Sequence, residues 1–193
     1  MKLQPEFSYN LSVDAVADYF VHCDMQRSEP DVTPLKLQKL LYLAQANFIA
    51  STDERLFDEP VEAFRHGPVV YRTYAKYSGS QIIAARENSS AGSADQDMPA
   101  DTRDFLDKIW LRYKDFSAGQ LRNLTHTQDP WVNHYVENSY RTEIPDEDMA
   151  RYYRQAVPAS ERVFHDSVAL VPEGFIEALD EDEMSSQLRA FWS

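Results

Sequence analysis

The chain has 193 residues, a formal net charge of −13 and a single cysteine, Cys23. That length suits one domain, with enough buried surface to be stable without covalent staples. A lone cysteine excludes an intramolecular disulfide framework and fits a reducing compartment.

Helical patterns dominate from the start. Ser12 can cap a helix that carries Val13, Val16, Ala17, Phe20 and Cys23 along one stripe. RSEPDV then reads as a loop. Thr33-Pro34 opens a second helix, with threonine as the cap and proline in the first turn, where a missing N–H costs nothing. This helix, about Pro34–Ala50, has Leu37, Leu41, Ala44 and Phe48 on one face, widened by Leu40 and Leu43. It is the most apolar helix of the chain and is expected to be central.

Residues 60–66 read as extended, with Val61, Ala63 and Arg65 facing one way and Glu62, Phe64 and His66 the other. Gln81–Ala85 is a candidate partner strand, and a helix fragment is the alternative, since periodicity does not settle so short a run. Between them, Gly67-Pro68 reads as a fixed corner that starts a helix with tyrosines at 71, 74 and 77. Steps of three turn back by about 60°, so the three rings span about 120° of that helix. One edge of the stripe should be core and the other rim.

Residues 86–100 are small and polar, and a mobile loop is expected there. Asp101 is expected to cap a helix bearing Phe105, Leu106, Ile109, Trp110 and Tyr113. Ser117 starts a short helix, Asp129-Pro130 another (PWVNHYVEN), and Pro145 a fourth with three acids at its positive end, stopped by Pro158. The last 35 or so residues read as an acidic tail anchored by Phe191 and Trp192. The pattern gives a mainly α (α+β) fold: a compact multi-helix domain with a small antiparallel β element near residues 60–85.

Charge narrows the partners. Residues 1–85 hold 8 Lys/Arg against 11 Asp/Glu, and residues 86–193 hold 11 against 21. Such a chain is poorly suited to nucleic acid, which demands positive charge to displace counterions. It suits a basic protein partner, although solubility explains the acidity equally well. The N-terminal MKLQPEFSYN has no apolar run, and no stretch approaches the ~18 apolar residues of a membrane span, so a cytoplasmic location is expected and no membrane contact.

Catalytic signals are sparse. There is no CxxC, HExxH or GxSxG, and no clustered glycines for phosphate, so neither metal nor cofactor is expected. An active site would need His66, His126 and an acid to converge. His126 stands at a helix junction near Trp131, where a structural role is the simpler reading. The chain is therefore read as a non-enzyme. Tyrosine combines apolar area with a polar tip, so the stripe after Gly67-Pro68 suits either packing or a protein interface.

TPLKLQKLLYLAQANFIA, LFDEPVEAFRHGPVVYRTYAKYSG and LRNLTHTQDPWV, in that order, resemble the Panacea domain of the SocA-like antitoxins. The matching positions are Thr33, Pro34, Lys36, Leu37, Lys39, Leu40, Leu41 and Tyr42; then Gly67, Pro68, Val69 and Tyr74; then Leu124, Thr125, His126, Pro130 and Trp131. Phe64 stands where the family's aromatic is often Trp, and His66 stands where an aromatic is commoner. The resemblance implies a non-catalytic antitoxin that neutralises a protein toxin, encoded by a neighbouring gene, through direct binding. Its alternatives are an adaptor that also engages a protease, and a phage or prophage regulator that binds a host protein. On this reading residues 1–145 form the antitoxin domain, and residues 146–193 a helical acidic extension packing on it. The toxin-binding face is placed on Lys36, Lys39, Tyr42, Arg65, His66, Tyr71 and Tyr74. Thr33, Pro34, Leu37, Leu41, Phe64, Gly67, Pro68, His126, Pro130 and Trp131 are its structural frame. A homodimer is left open.

Overall fold

A computed structural model describes residues 11–79, 83, 98–137, 139 and 141–163. The first helix, α1 (Val13–Met25), is capped by the Ser12 hydroxyl, which accepts from the Asp14 N–H. The second, α2 (Pro34–Thr52), is capped by Thr33 through the Lys36 N–H and has Pro34 in its first turn, as its sequence dictates. Every residue from Lys36 to Ile49 is buried, because α2 is enclosed by α1, the sheet and the later helices. Enclosure forces its polar residues to find partners inside. Gln38 takes the Val70 N–H and donates to Thr73. Gln45 takes the Leu56 N–H and donates to the Phe57 carbonyl.

The β element is antiparallel, with order β2-β1-β3. Strand β1 (Val61–Phe64) pairs β2 (Gly67–Val70) in the register Val61 to Val70 and Phe64 to Gly67. Strand β3 (Thr142–Glu143) lies on the other side of β1. The partner of β1 is thus the segment immediately after it, not Gln81–Ala85. Of those five residues only Ile83 is described, and its N–H donates to the Val32 carbonyl. Gly67-Pro68 is part of this hairpin rather than the start of a helix. Pro68 is tolerated because β2 is an edge strand, whose missing N–H breaks no ladder.

Helix α3 (Tyr71–Tyr77) follows directly. Helix α4 (Ala100–Tyr113) buries Phe105, Leu106, Ile109, Trp110 and Tyr113. Its flanking residue is Pro99, and Asp101 sits within the first turn, not at the cap. Helix α5 (Ala118–His126) opens with a capping box between Ser117 and Gln120. Asp129-Pro130 starts only a single turn, α6 (Asp129–Val132), flanked by Gln128. Helix α7 (Asp146–Gln155) begins with three acids in its first turn and buries Met149, Ala150 and Tyr153.

Phe20, Leu40, Leu41, Phe48, Phe105, Leu121 and Met149 belong to one continuous core around α2. Cys23, expected on the core stripe of α1, is half-buried at its margin, and Asp24 is buried instead. The Asp24 carboxylate accepts the N–H groups of Asp31 and Val32, which holds the α1–α2 loop closed. Among the described residues no helix is long and apolar enough to cross a membrane. The loop expected at 86–100, apart from its last three residues, and the tail with Phe191 and Trp192 lie outside the described residues.

Candidate functional site

The β1–β2 hairpin organises the most distinctive surface of the molecule. Its turn is only Arg65-His66, and both are exposed. Neither has a positive φ, so the left-handed step that closes the hairpin passes to Gly67, at φ +99°. Gly67 also packs without a gap. A Cβ there would lie 2.7 Å from Lys39 Nζ, 2.9 Å from Lys39 Cε and 3.1 Å from Thr125 Oγ1. Lys39 is completely buried beneath it and donates to the Pro68 carbonyl over 2.8 Å. Burial pushes its pKa down to about 7, and the Arg122 charge adds to the effect.

Behind the turn, aromatic rings stack. His126 lies on Trp131 with ring centres 3.9 Å apart, and Trp131 on Tyr135 at 4.8 Å. The Trp131 indole N–H donates to the Phe64 carbonyl over 2.9 Å, fixing the stack to the end of β1. Among the described residues, His126 Nε2 is buried without a hydrogen-bond partner. Burial, then Arg122, lower the His126 pKa, while the His66 backbone beside the ring opposes that shift. His66 is lowered as well, by burial and then by Arg122, Arg65 and Lys39. Among the described residues, His66 acts on His126, with Arg122 and Lys39 as their shared charged neighbours.

In front of the hairpin is an exposed aromatic group. Phe64 meets Tyr74 at 5.5 Å and Tyr71 at 6.5 Å, and the two tyrosines are 6.3 Å apart. Tyr71 is 42 % exposed and Tyr74 43 %, whereas Tyr77 is buried. The tyrosine stripe is thus core at one edge and surface at the other. Arg141 lies 4.0 Å over the Tyr71 ring and donates to the buried Glu62 carboxylate over 2.9 Å. It holds a left-handed backbone, φ 58°, which costs energy for a non-glycine residue. A cavity of about 410 Å³ opens beside this group, lined by Ala63, Phe64, Arg65, Tyr135, Glu137, Ser139 and Arg141.

Of the seven residues placed on the binding face from sequence, four reach the surface together: Arg65, His66, Tyr71 and Tyr74. Lys36, Lys39 and Tyr42 do not, since all three are fully buried. Lys36 donates to Asp31 and to the Lys114 carbonyl, and Tyr42 donates to Gln128. They stand on the side of α2 that an amphipathic helix would expose, but α2 has no exposed side. Of the frame residues, Thr33 and Pro34 stand at the start of α2, Leu37 and Leu41 in the core, Phe64, Gly67 and Pro68 in the hairpin, and His126, Pro130 and Trp131 behind it.

Arg122, Tyr135 and Arg141 were not singled out from sequence. Arg122 precedes His126 by one helical turn, so its presence on the same face was legible. Arg141 joins Glu62 across 79 positions, and no local pattern marks such a pair.

No curated protein and no solved structure matches the chain. One family model does match it, over residues 37–132, from within α2 to the end of α6. That span contains the hairpin, the tyrosine helix and the His126–Trp131 stack, and over it the chain matches the family described as antitoxin SocA-like, Panacea domain.

Proposed function

We propose that this protein is the antitoxin of a toxin–antitoxin pair, acting in the cytoplasm and neutralising a protein toxin by binding it rather than by catalysis. The family supports a toxin–antitoxin role in general. The observation that carries the direct-binding reading is the group of exposed Tyr71 and Tyr74 around half-buried Phe64, beside the 410 Å³ cavity. Aromatic rings presented around a concavity, with an arginine laid over one of them, are the composition of an interface hot spot.

The test is co-expression with the product of the adjacent gene. Growth arrest that this protein relieves, with a complex that survives purification, is the expected outcome. Tyr71→Ala and Tyr74→Ala should each weaken that complex by ~1–4 kcal/mol while leaving the fold intact, because both rings are nearly half exposed. Unchanged affinity in both folded variants would move the interface elsewhere. Relief reproduced with the two purified proteins alone separates occlusion from an adaptor mechanism, which needs a protease.

A further inference from the structure

Two non-glycine residues among those described take a left-handed backbone, Asp53 and Arg141. Asp53 is the C-terminal cap of α2, where that conformation is ordinary. Arg141 caps no described helix and instead leads into β3. A left-handed arginine costs energy and persists only where its surroundings hold it. Two groups do so. Arg141 Nε donates to the buried Glu62 carboxylate, whose oxygens lie at 2.9 and 3.2 Å, and the guanidinium carbon stands 4.0 Å from the centre of the Tyr71 ring. With Nε bound and one face covered, the guanidinium plane is fixed at the wall of the cavity that Arg141 lines.

Three of the cavity's walls are flat. The Phe64 ring is seated against Tyr74 at 5.5 Å, the Tyr135 ring is stacked on Trp131 at 4.8 Å, and Arg141 adds its guanidinium plane. Among the described residues the charges at the cavity balance. Arg141 is matched by Glu62, and the other two charged lining residues are Arg65 and Glu137, one of each sign. An entering anion or cation would lose water and meet a like charge as well as an opposite one. An uncharged ring loses little water and gains planar neighbours, one of them cationic. The volume, about 410 Å³, is near the low end of the roughly 300–1,000 Å³ of ligand pockets, room for one ring system rather than a long segment. Tyr135 and Arg141 lie beyond residue 132, where the family match ends, so the match does not supply this feature.

We infer that this cavity is a slot for one aromatic side chain of the toxin, a tryptophan or a tyrosine, and that Arg141 is the positioning residue that shapes it. The inference rests on the antitoxin reading for the source of the ring, not for the slot itself. Phe64, Tyr135 and the Arg141 plane are the surfaces the ring touches. Glu62 acts through Arg141, holding the plane in place. Tyr71 and Tyr74, nearly half exposed beside Phe64, are left to meet the toxin residues that flank the inserted one. A buried aromatic anchor ringed by partly exposed contacts is the usual arrangement of a binding hot spot.

The slot can be tested on the isolated full-length chain with the N-acetylated amides of tryptophan, leucine, lysine and aspartate, which carry no terminal charges. Each is titrated while the backbone amide signals of Phe64, Arg65, Tyr135 and Ser139 are followed by NMR. The tryptophan amide should move these signals saturably, at about one-tenth of the half-saturating concentration of the leucine amide, the preference that ring stacking and a cation over the ring supply. The lysine and aspartate amides should bind more weakly than either. Arg141→Lys keeps a cation for Glu62, and with it the fold, but has no plane to stack. It should bring the tryptophan and leucine amides to about equal strength at an unaltered thermal midpoint, a change of preference that a merely structural residue would not cause. Ser139→Phe, at an exposed position, fills the slot and should abolish the response whether or not Arg141→Lys folds. No saturation by the tryptophan amide, or tighter binding of a charged amide, would overturn the slot. An unchanged preference in folded Arg141→Lys would overturn the role of Arg141. Growth rescue by a folded Ser139→Phe that no longer binds the amide would end the toxin anchor and leave the antitoxin reading standing. Amide binding by a chain that relieves no toxicity would end the toxin as the source of the ring, because the antitoxin reading itself would have failed.

Discussion

Lys39 shows how a single residue can be read correctly for position and wrongly for place. Its motif, with Thr33, Pro34 and Leu37, was legible, and lysine on a helix is ordinarily solvated. Burial here is complete, and the pKa falls from the usual lysine value of 10.5 to about 7. The unfolded chain therefore keeps a proton through pH 7–10 that the folded chain gives up. Where the unfolded state binds more protons, stability rises with pH. The penalty of burying the charge is full below about pH 7 and fades as pH climbs toward 10.5. Lys39→Met removes the titration and keeps an unbranched side chain one atom shorter. The stability of the wild type relative to Lys39→Met should rise by roughly 1 kcal/mol per pH unit between pH 8 and 9, approaching the 1.36 kcal/mol limit for one proton. Urea denaturation at pH 7, 8 and 9 reads this directly, and parallel pH profiles would mean that the ammonium is solvated. Tyr42 and Lys36 were misplaced for the same reason as Lys39. No sequence pattern reports that a helix has neighbours on every side.

Elements were legible where their signals are local. The Thr33-Pro34 start of α2 and the Ser117 start of α5 rest on caps within four residues of each other, and both stand as read. The hairpin was not legible, because GPVV is too short to show a period and its proline equally suits a helix start. Strand β3 has two residues and pairs across 80 or so positions, beyond any local rule. What does fix the hairpin is Gly67. It combines φ +99° with direct contact to Lys39 and Thr125, so an alanine there meets both backbone strain and a buried ammonium that is already held by Pro68. Gly67→Ala should lower stability by roughly 1–3 kcal/mol and shift the urea midpoint with little change in slope. It should also weaken toxin binding beyond that loss, since Phe64, Arg65 and His66 all hang from this turn. A variant with an unaltered midpoint would show that the turn can rearrange, and would weaken the case for a preformed face.

At the scale of the whole molecule, the family match ends at residue 132, but the fold does not. Helix α7 lies along α2, and its Tyr153 hydroxyl accepts from the Gln128 amide over 3.1 Å. The Gln128 carbonyl oxygen in turn accepts from Tyr42 over 2.7 Å, all within the core. Arg154 donates to the carbonyls of Ile49 and Ala50, satisfying the C-terminal end of α2 with a cation, where the helix dipole favours one. Further on, the Asn47 carbonyl oxygen accepts the Val163 N–H over 3.0 Å. A chain ended after Ile144 loses Met149, Ala150 and Tyr153 from the core and leaves Gln128 with fewer partners. Each buried side chain of the size of Met or Tyr contributes roughly 1.5–3 kcal/mol, and whole-domain stability is only about 5–15 kcal/mol, so that deletion should abolish cooperative unfolding. A chain ended after Val163 keeps every one of these contacts. It should unfold cooperatively and bind the toxin through the hairpin face. Calorimetry on both truncations decides the first point. Growth rescue by the Val163 form decides the second: rescue locates neutralisation in residues 1–163, while a folded but inactive form would assign an essential contact to residues 164–193 and favour the adaptor mechanism.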